Sequence, residues 1–97
     1  MKYTFCPEAE EELNRAIEYY EECKIGLGEE FAREVFTTIQ RILNYPNAWT
    51  RLSQNSRRCI TNRFPYGVIY QIKDDEILIV AITGLTQKPN YWKDRFE

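Results

Sequence analysis

Histidine is absent from this 97-residue sequence, and its absence removes several kinds of active site. A zinc site built from Cys and His cannot form, and neither can a catalytic Cys–His pair. The cysteines, Cys6, Cys23 and Cys59, are odd in number and form no CxxC pair, so we expect reduced and largely packed thiols. The sequence therefore predicts neither a metal site nor a cofactor.

Long apolar runs are also missing, since no segment approaches the ~18 residues of a transmembrane helix. After Lys2 the N-terminus passes quickly into a Glu-rich stretch that is unlike a signal peptide. These features predict a cytoplasmic protein without membrane association. With 43% hydrophobic and 29% charged residues, we expect one folded domain over residues 1–97. A domain of this size buries roughly 60–65% of its unfolded surface.

The net charge of −2 is unevenly distributed along the chain. Residues 1–45 contain five basic residues and ten glutamates, a balance of −5, whereas residues 46–97 contain eight basic and five acidic residues, a balance of +3. This asymmetry points to an anionic partner for the second half. It equally fits a first half made of two solvated helices with Glu-rich faces, and both interpretations stay open.

The first half has the pattern of a helical hairpin behind a short strand at Tyr3–Phe5. Pro7 suits a helix start, and apolar residues at three- and four-residue spacing predict a helix from about Pro7 to Lys24. Gly26 predicts a left-handed cap that closes this helix. A second helix is predicted from Glu29 to about Tyr45, with an apolar stripe at Phe31, Val35, Ile39, Ile42 and Leu43.

From Arg57 onward the hydrophobic period changes from 3.6 to 2, which predicts strands. A bend is expected at Phe64–Gly67, because Pro65 cannot donate to a ladder. The β-prone residues Val68–Ile72 and the doubly apolar run Ile77–Ile82 are predicted strands joined by a turn. The sequence thus predicts an α+β fold, with the short strand and antiparallel helical hairpin packed on a C-terminal antiparallel β-meander.

Several local motifs occur in a specific order over essentially the whole chain. They are Phe5-Cys6-Pro7-Glu8-Ala9 leading to Glu12-Leu13, Tyr19-Tyr20-Glu21, Gly26-Leu27-Gly28 followed by Phe31, Tyr45-Pro46 with Trp49, Arg57-Arg58, Arg63-Phe64-Pro65-Tyr66-Gly67-Val68-Ile69-Tyr70, Ile77-Leu78-Ile79-Val80-Ala81, and Pro89 with Tyr91-Trp92 and Arg95.

Taken together, these motifs resemble the RelE/ParE toxin superfamily of type II toxin–antitoxin systems, and they lean toward its ParE-like branch. The resemblance implies a plasmid-stabilisation type of toxin that inhibits growth and is neutralised by a cognate antitoxin. ParE-like members poison DNA gyrase by binding it, whereas RelE-like members cut mRNA on the ribosome.

One segment departs from the superfamily pattern. Many relatives carry a His and one or two Arg between the last strand and the Pro-Xaa-Tyr-Trp segment. Here Gly84 stands where the His is usual, Thr86 and Gln87 stand where the Arg residues are usual, and Lys88 alone keeps a charge. A degenerate, non-toxic member that acts only in complex formation is therefore an alternative function.

Metal-free RNA cleavage needs a base for the 2′-hydroxyl and cations for the charged phosphorane. Without His, the candidates are Arg57, Arg58, Arg63, Tyr70, Lys88 and Arg95. None of them is an evident base near neutral pH, and the acidic net charge disfavours a protein that must sit in ribosomal RNA. We therefore rank an mRNA endonuclease below gyrase inhibition and assign no catalytic residue.

Gyrase inhibition needs only a recognition surface, and Arg, Tyr and Trp dominate binding hot spots. The candidates for target binding are Arg57, Arg58, Arg63, Lys88, Tyr91, Trp92 and Arg95.

Several of these candidates also have a structural interpretation. For Tyr91 and Trp92, docking of the tail over the sheet is favoured over target contact, and Tyr70 is expected in the core. Arg95 is expected to pair with Asp94 or with the helices unless it binds the target. Arg57 and Arg58 point to opposite faces of a strand, so at most one of them readily faces a cleft on the sheet.

The antitoxin that the resemblance implies has three places to bind. The N-terminal strand and the outer strand of the meander offer open edges for an added strand. An apolar and aromatic groove between hairpin and sheet offers a seat for an amphipathic helix, and the +3 half offers charge for an acidic segment.

Overall fold

The computed structural model describes residues 1–87 and 91–95, so Lys88 lies outside the described residues. Its elements are β1 (Lys2–Phe5), α1 (Pro7–Cys23), α2 (Leu27–Asn44), β2 (Thr50–Arg51), β3 (Arg57–Ile60), β4 (Tyr66–Lys73) and β5 (Glu76–Gly84). A short 3-10 turn follows at Lys93–Arg95. Within these residues, no helix combines the length and apolar character needed to cross a bilayer.

The strands form one sheet in the order β1-β5-β4-β3-β2. β3, β4 and β5 pair antiparallel, which confirms the predicted meander. β1 pairs parallel with β5, so the sheet is mixed, a feature that the sequence did not predict. The two-residue strand β2 was also missed, because so short a segment carries no hydrophobic period.

The predicted helices are confirmed, with small changes at the hairpin turn. α1 ends one residue earlier than expected, and α2 begins two residues earlier, at Leu27. Gly26 adopts the predicted left-handed conformation, with φ +90°, but it is the N-cap of α2 rather than the residue that closes α1. The turn is tight because the Glu21 carboxylate accepts hydrogen bonds from the backbone N–H groups of Gly26 and Gly28.

The hairpin covers one face of the sheet, which we call the inner face. Four residues of the predicted stripe of α2 are fully buried there with Ile77 and Ile79 of β5, and the fifth, Leu43, is partly buried against the same core; the four are Phe31, Val35, Ile39 and Ile42. Tyr70 is fully buried in the same core, as expected. The opposite side, which we call the outer face, carries a smaller cluster of Ile69, Val80, Ala81 and Trp92. β5 is therefore covered on both sides, which explains its doubly apolar sequence.

Two turns orient the meander. Asp74 and Asp75 join β4 to β5 with φ of 52° and 62°, so both central residues of the hairpin are left-handed. The bend predicted at Phe64–Gly67 is confirmed at Phe64 and Pro65, where Tyr66 donates its backbone N–H to the Phe64 carbonyl at 2.8 Å. Tyr66 and Gly67 already belong to β4.

Close packing of the two helices at Gly28 generates a prediction about stability. A Cβ on Gly28 would lie 2.6 Å from the Ile17 carbonyl oxygen, so Gly28→Ala is expected to destabilise the fold by about 1–3 kcal/mol. The matched control is Gly84→Ala, where the nearest atom lies at an ordinary 3.5 Å. Urea unfolding of both variants measures the difference. Equal unfolding midpoints for the two variants would contradict the predicted clash.

Candidate functional site

The C-terminal segment is anchored on the outer face through Trp92. Its side chain is only 4% exposed and packs with Ile69, Val80 and Ala81. Tyr91 is partly buried beside the same cluster. This arrangement matches the structural interpretation of Tyr91 and Trp92, in which the two rings dock the tail over the sheet.

A single carboxylate, that of Glu12 on α1, ties this tail to the rest of the fold. Glu12 accepts hydrogen bonds from the Ile82 backbone N–H at 3.0 Å and from the Tyr91 hydroxyl at 2.8 Å. It also accepts two hydrogen bonds from the Arg95 guanidinium, at 2.9 and 2.7 Å. The side chains of this ion pair are 9% exposed for Glu12 and 14% for Arg95, so the contact is shielded from water. α1, β5 and the tail therefore meet at one acidic group.

The electrostatics of this cluster keep the Arg95 guanidinium charged and the Tyr91 hydroxyl protonated. The hydrogen bonds to Glu12 raise the pKa of Arg95 above its ordinary value. Burial raises the pKa of Tyr91 to about 12, and the hydrogen bond to Glu12 acts in the same direction. Arg95 also donates to the Val80 carbonyl at 2.9 Å, and its Cζ lies 5.1 Å from the Tyr91 ring centroid. Of the two pairings expected for Arg95, the structure shows the one with the helices.

Sequence reasoning included Glu12 in a family motif but predicted no contact for it. The signal for it lay in its spacing, because Glu12 is three residues after Ala9 and four before Ala16, both of which are buried. Residues at that spacing share a helix face. An acidic residue on a buried face requires a partner, and the long-range partner could not be read from the sequence.

Arg57 and Arg58 point to opposite faces of the sheet, as predicted. Arg57 is paired with Tyr70 on the inner face and donates to the Trp49 carbonyl at 2.9 Å. Tyr70 in turn donates its hydroxyl to the Pro46 carbonyl. Burial raises the pKa of Tyr70 to about 12, although the Arg57 cation opposes the shift. Tyr70 is therefore a buried hydrogen-bond donor and has no basic character near neutral pH.

Arg58 lies on the outer face, paired with Ile69 and near the tail's apolar cluster. Its aliphatic stem passes over Gly67, because a Cβ added at Gly67 would lie 3.0 Å from the Arg58 Cδ. Its Nε is buried and has no hydrogen-bond partner among residues 1–87 and 91–95. Arg58 is thus a half-buried cation that the described fold leaves without a hydrogen bond on that atom.

Arg63 is held against α2. Its guanidinium lies 2.9 Å from Glu30, and its backbone N–H donates to Glu34 at 2.6 Å. The Arg63 Cζ also lies 5.3 Å from the Phe64 ring centroid. The structure therefore does not bring Arg63 together with Arg58 or Arg95.

Residues 84–87, which depart from the superfamily pattern, form a turn that the Gln87 side chain stabilises. Gln87 accepts a hydrogen bond from the Gly84 backbone N–H at 2.7 Å and lies 3.4 Å from the Thr83 hydroxyl. Leu85, Thr86 and Gln87 are exposed. The side chain at position 87 is therefore used within its own turn.

Two thiols and four phenols in the described part of the chain have raised pKa values. Burial is the first cause of a raised pKa for Cys6, Cys59, Tyr20 and Tyr66, as it is for Tyr70 and Tyr91. A raised pKa keeps thiols and phenols protonated, which makes them weak bases and weak nucleophiles. The arrangement supplies hydrogen-bond donors and cations, which suit binding.

An open groove remains at one end of the interface between the hairpin and the sheet. The main hairpin–sheet interface is filled by the core, and the opening lies at one end, where α1 faces β4 and β5. It is a cavity of about 210 Å³ lined by Glu12, Arg15, Ala16, Tyr19, Tyr66, Ile82 and Gln87. Tyr19, which is 59% exposed, makes the rim aromatic.

The Glu12–Arg95 pair predicts a large effect for a nearly isosteric change. Glu12→Gln leaves the buried Arg95 cation without a counter-charge and is expected to cost about 3–5 kcal/mol of stability. Glu11→Gln is the matched control, because Glu11 is 68% exposed and lies 3.9 Å from an equally exposed Arg15. The control is expected to change stability by less than about 1 kcal/mol. Denaturant unfolding tests both variants, and similar losses for the two would rule out the proposed anchor.

Tyr70 predicts how stability depends on alkaline pH. Its pKa is about 12 in the fold against about 10 unfolded, so folding favours the protonated phenol. The contribution is fully present below about pH 10 and is lost as pH rises toward 12, by roughly 2–3 kcal/mol. Tyr70→Phe removes this titration, so its unfolding free energy should fall less steeply over that range. Equal slopes for wild type and variant would show that Tyr70 ionises freely.

Comparison with known proteins agrees with this architecture. No curated protein sequence is significantly similar to the chain. Among solved structures, the chain superimposes on a protein of the "Chromosomal ParDE TA system from P. aeruginosa" with a TM-score of 0.73 and 19% sequence identity, covering 87% of this chain and 95% of that one. At that identity, the likeness shows a shared fold.

The family model described as "ParE toxin of type II toxin-antitoxin system, parDE" matches residues 3–86. The match includes the hairpin and every strand of the sheet. Because it spans most of the sequence, the chain belongs to the family of ParE toxins of type II toxin–antitoxin systems.

Proposed function

We propose that this protein inhibits growth by binding DNA gyrase and that a cognate antitoxin neutralises it. The observation that carries the proposal is the family match over residues 3–86. The ParE-like branch, to which the sequence motifs lean, acts on gyrase by binding.

The chemistry of the described residues supports binding over RNA cleavage. The chain contains no His, and the phenols and thiols with shifted pKa values are shifted upward. Glu12 already accepts four hydrogen bonds, so its carboxylate is occupied. A general base for the 2′-hydroxyl is therefore not available from these groups near neutral pH. Target binding has no such requirement.

Arg58 is the strongest candidate for target contact among the residues predicted from the sequence. Arg95, Trp92 and Tyr91 hold the tail, and Arg63 is paired with Glu30. Arg58 lies on the outer face, and in the part of the chain that the structure describes its Nε is buried without a partner. That buried atom is out of reach of a partner, but the Arg58 guanidinium forms no salt bridge within the described residues, so its terminal nitrogens can pair with an acceptor on the target.

For the antitoxin, two features of the fold support a binding site. The edge strands of the sheet are β1, as predicted, and β2; the outer strand of the meander is not the edge that was predicted, because β2 pairs with β3. Each edge strand exposes one row of backbone groups to an added strand. The groove between α1 and the ends of β4 and β5 combines the aromatic ring of Tyr19 with the polar side chains of Arg15 and Gln87, which suits an amphipathic helix.

A second candidate is a non-toxic family member that acts only in complex formation. The specific observation in its favour is the segment at residues 84–87, which lacks the usual His and Arg and whose Gln87 is hydrogen-bonded within its own turn. Such a protein would keep the fold and the antitoxin surface without inhibiting growth.

Expression without an antitoxin under tight induction separates these functions. We expect loss of viable cells, together with inhibition of supercoiling by purified gyrase. Arg58→Met keeps the apolar stem over Gly67 but removes the charge, and it is expected to weaken gyrase inhibition about tenfold or more. Arg33→Met is the control, because the side chain of Arg33 is 78% exposed on α2.

Two outcomes would contradict gyrase inhibition, and a third would contradict the role of Arg58. Transcript cleavage with unaffected supercoiling would favour the endonuclease. Normal growth with soluble, cooperatively folding protein would favour the non-toxic member. Equal loss of gyrase inhibition in Arg58→Met and Arg33→Met would remove the role of Arg58 while leaving the target in place.

A further inference from the structure

Two arginines face each other across the edge of the sheet. In the antiparallel register of β2 and β3, Arg51 lies directly opposite Arg57. The Cβ atoms of such a pair are about 4.5–5.5 Å apart, and like charges directly opposite destabilise a sheet. A negative charge bound between the two arginines would offset this repulsion.

The same two arginines line one cavity of about 140 Å³. None of its other lining residues is charged; they are Asn47, Gln54, Asn55, Ser56, Tyr70 and Ile72. Since one water needs at least about 10–15 Å³ by a comparable measure, the cavity is large enough for a small polyatomic anion. The protein thus provides a concave, cationic and hydrogen-bonding site without an internal counter-ion.

Each guanidinium keeps most of its donors free for a ligand. Arg57 donates from one terminal nitrogen to the Trp49 carbonyl at 2.9 Å, and Arg51 donates likewise to the Gln54 carbonyl at 3.1 Å. A guanidinium carries five N–H donors. Within residues 1–87 and 91–95, neither arginine forms a salt bridge, and the only buried side-chain donors without partners are the Nε atoms of Arg41 and Arg58. The remaining donors of Arg51 and Arg57 are therefore accessible from the cavity or from solvent.

We propose that this cavity binds a tetrahedral oxyanion of the phosphate class between Arg51 and Arg57. The planar donor fork of arginine matches phosphate oxygens in a bidentate manner, and two forks on adjacent strands present such donors to one anion. Amide side chains of Asn47 and Asn55 supply neutral donors at the rim. The bound charge removes the repulsion between the two strands, so binding and local stability of the β2–β3 ribbon are linked.

The ligand chemistry has two natural sources, which are free phosphate and the phosphodiester of a nucleic acid. Both present the same oxygens to the arginines. The site is separate from the tail cluster around Glu12, and the proposal does not depend on which cellular target the toxin binds.

Thermal unfolding with inorganic phosphate tests the site, with sodium chloride at the same ionic strength as reference. Phosphate is expected to raise the melting temperature of the wild type in a saturable manner. Arg51→Gln is expected to weaken the apparent affinity about tenfold or more, because it removes charge-assisted hydrogen bonds. Arg33→Gln is the control, since that arginine is also exposed but lies on α2, away from the cavity. A dinucleotide with one phosphodiester, used in place of phosphate, distinguishes the two sources.

The sign of the effect without phosphate provides a second readout. Because Arg51 and Arg57 repel each other when the cavity is empty, Arg51→Gln should be at least as stable as the wild type in phosphate-free buffer and less stable than it at saturating phosphate. Such a crossing, with Arg33→Gln following the wild type, supports the site. If neither phosphate nor the dinucleotide stabilises the wild type, or if the stabilisation is equal in the wild type and Arg51→Gln, the site is overturned. If only the dinucleotide produces the crossing, the oxyanion is a phosphodiester.

Discussion

The carboxylate of Glu12 is the point on which the relation between helix, sheet and tail depends. It reaches from α1 to the backbone of β5, and it receives both Tyr91 and Arg95 from the C-terminal segment. α1 lies on the inner face while Trp92 packs on the outer face, so this contact links the two sides of the sheet. Breaking a shielded ion pair leaves one charge uncompensated, which gives the contact its large energetic weight.

The contact with Glu12 gives the aromatic and basic residues of the tail a structural role. A tail rich in Trp, Tyr and Arg has the composition of a binding hot spot, but three of its members are used to close the fold. Arg63 is used in a similar way against Glu30 of α2. Among the candidate arginines, Arg57 and Arg58 on β3 form no salt bridge within the described residues.

The strand arginines divide into two surfaces because β3 is pleated. Arg58 faces the outer side of the sheet beside the tail, and Arg57 faces the inner side with Tyr70. Arg51 lies opposite Arg57 because β2 pairs with β3 in the register that places Thr50 opposite Arg58. The basic second half of the sequence is consequently not one continuous patch in the described chain. The arginines on β2 and β3 form two separate groups, which are Arg58 on the outer face and the opposed pair of Arg51 and Arg57 at the sheet edge.

The sequence alone determined the helical hairpin, the meander and the buried faces, because hydrophobic periods of 3.6 and 2 depend only on local order along the chain. It also indicated the family, through motifs that keep their order and spacing. Only the tertiary structure decided the parallel pairing of β1 with β5, the partner of Glu12 and the meeting of Arg51 with Arg57. Glu12 and Arg95 are 83 residues apart along the chain, and no local period reports a contact between them. The physical reason is that charge pairing and strand register are set by the packed chain, whereas secondary structure is set largely by neighbours in sequence.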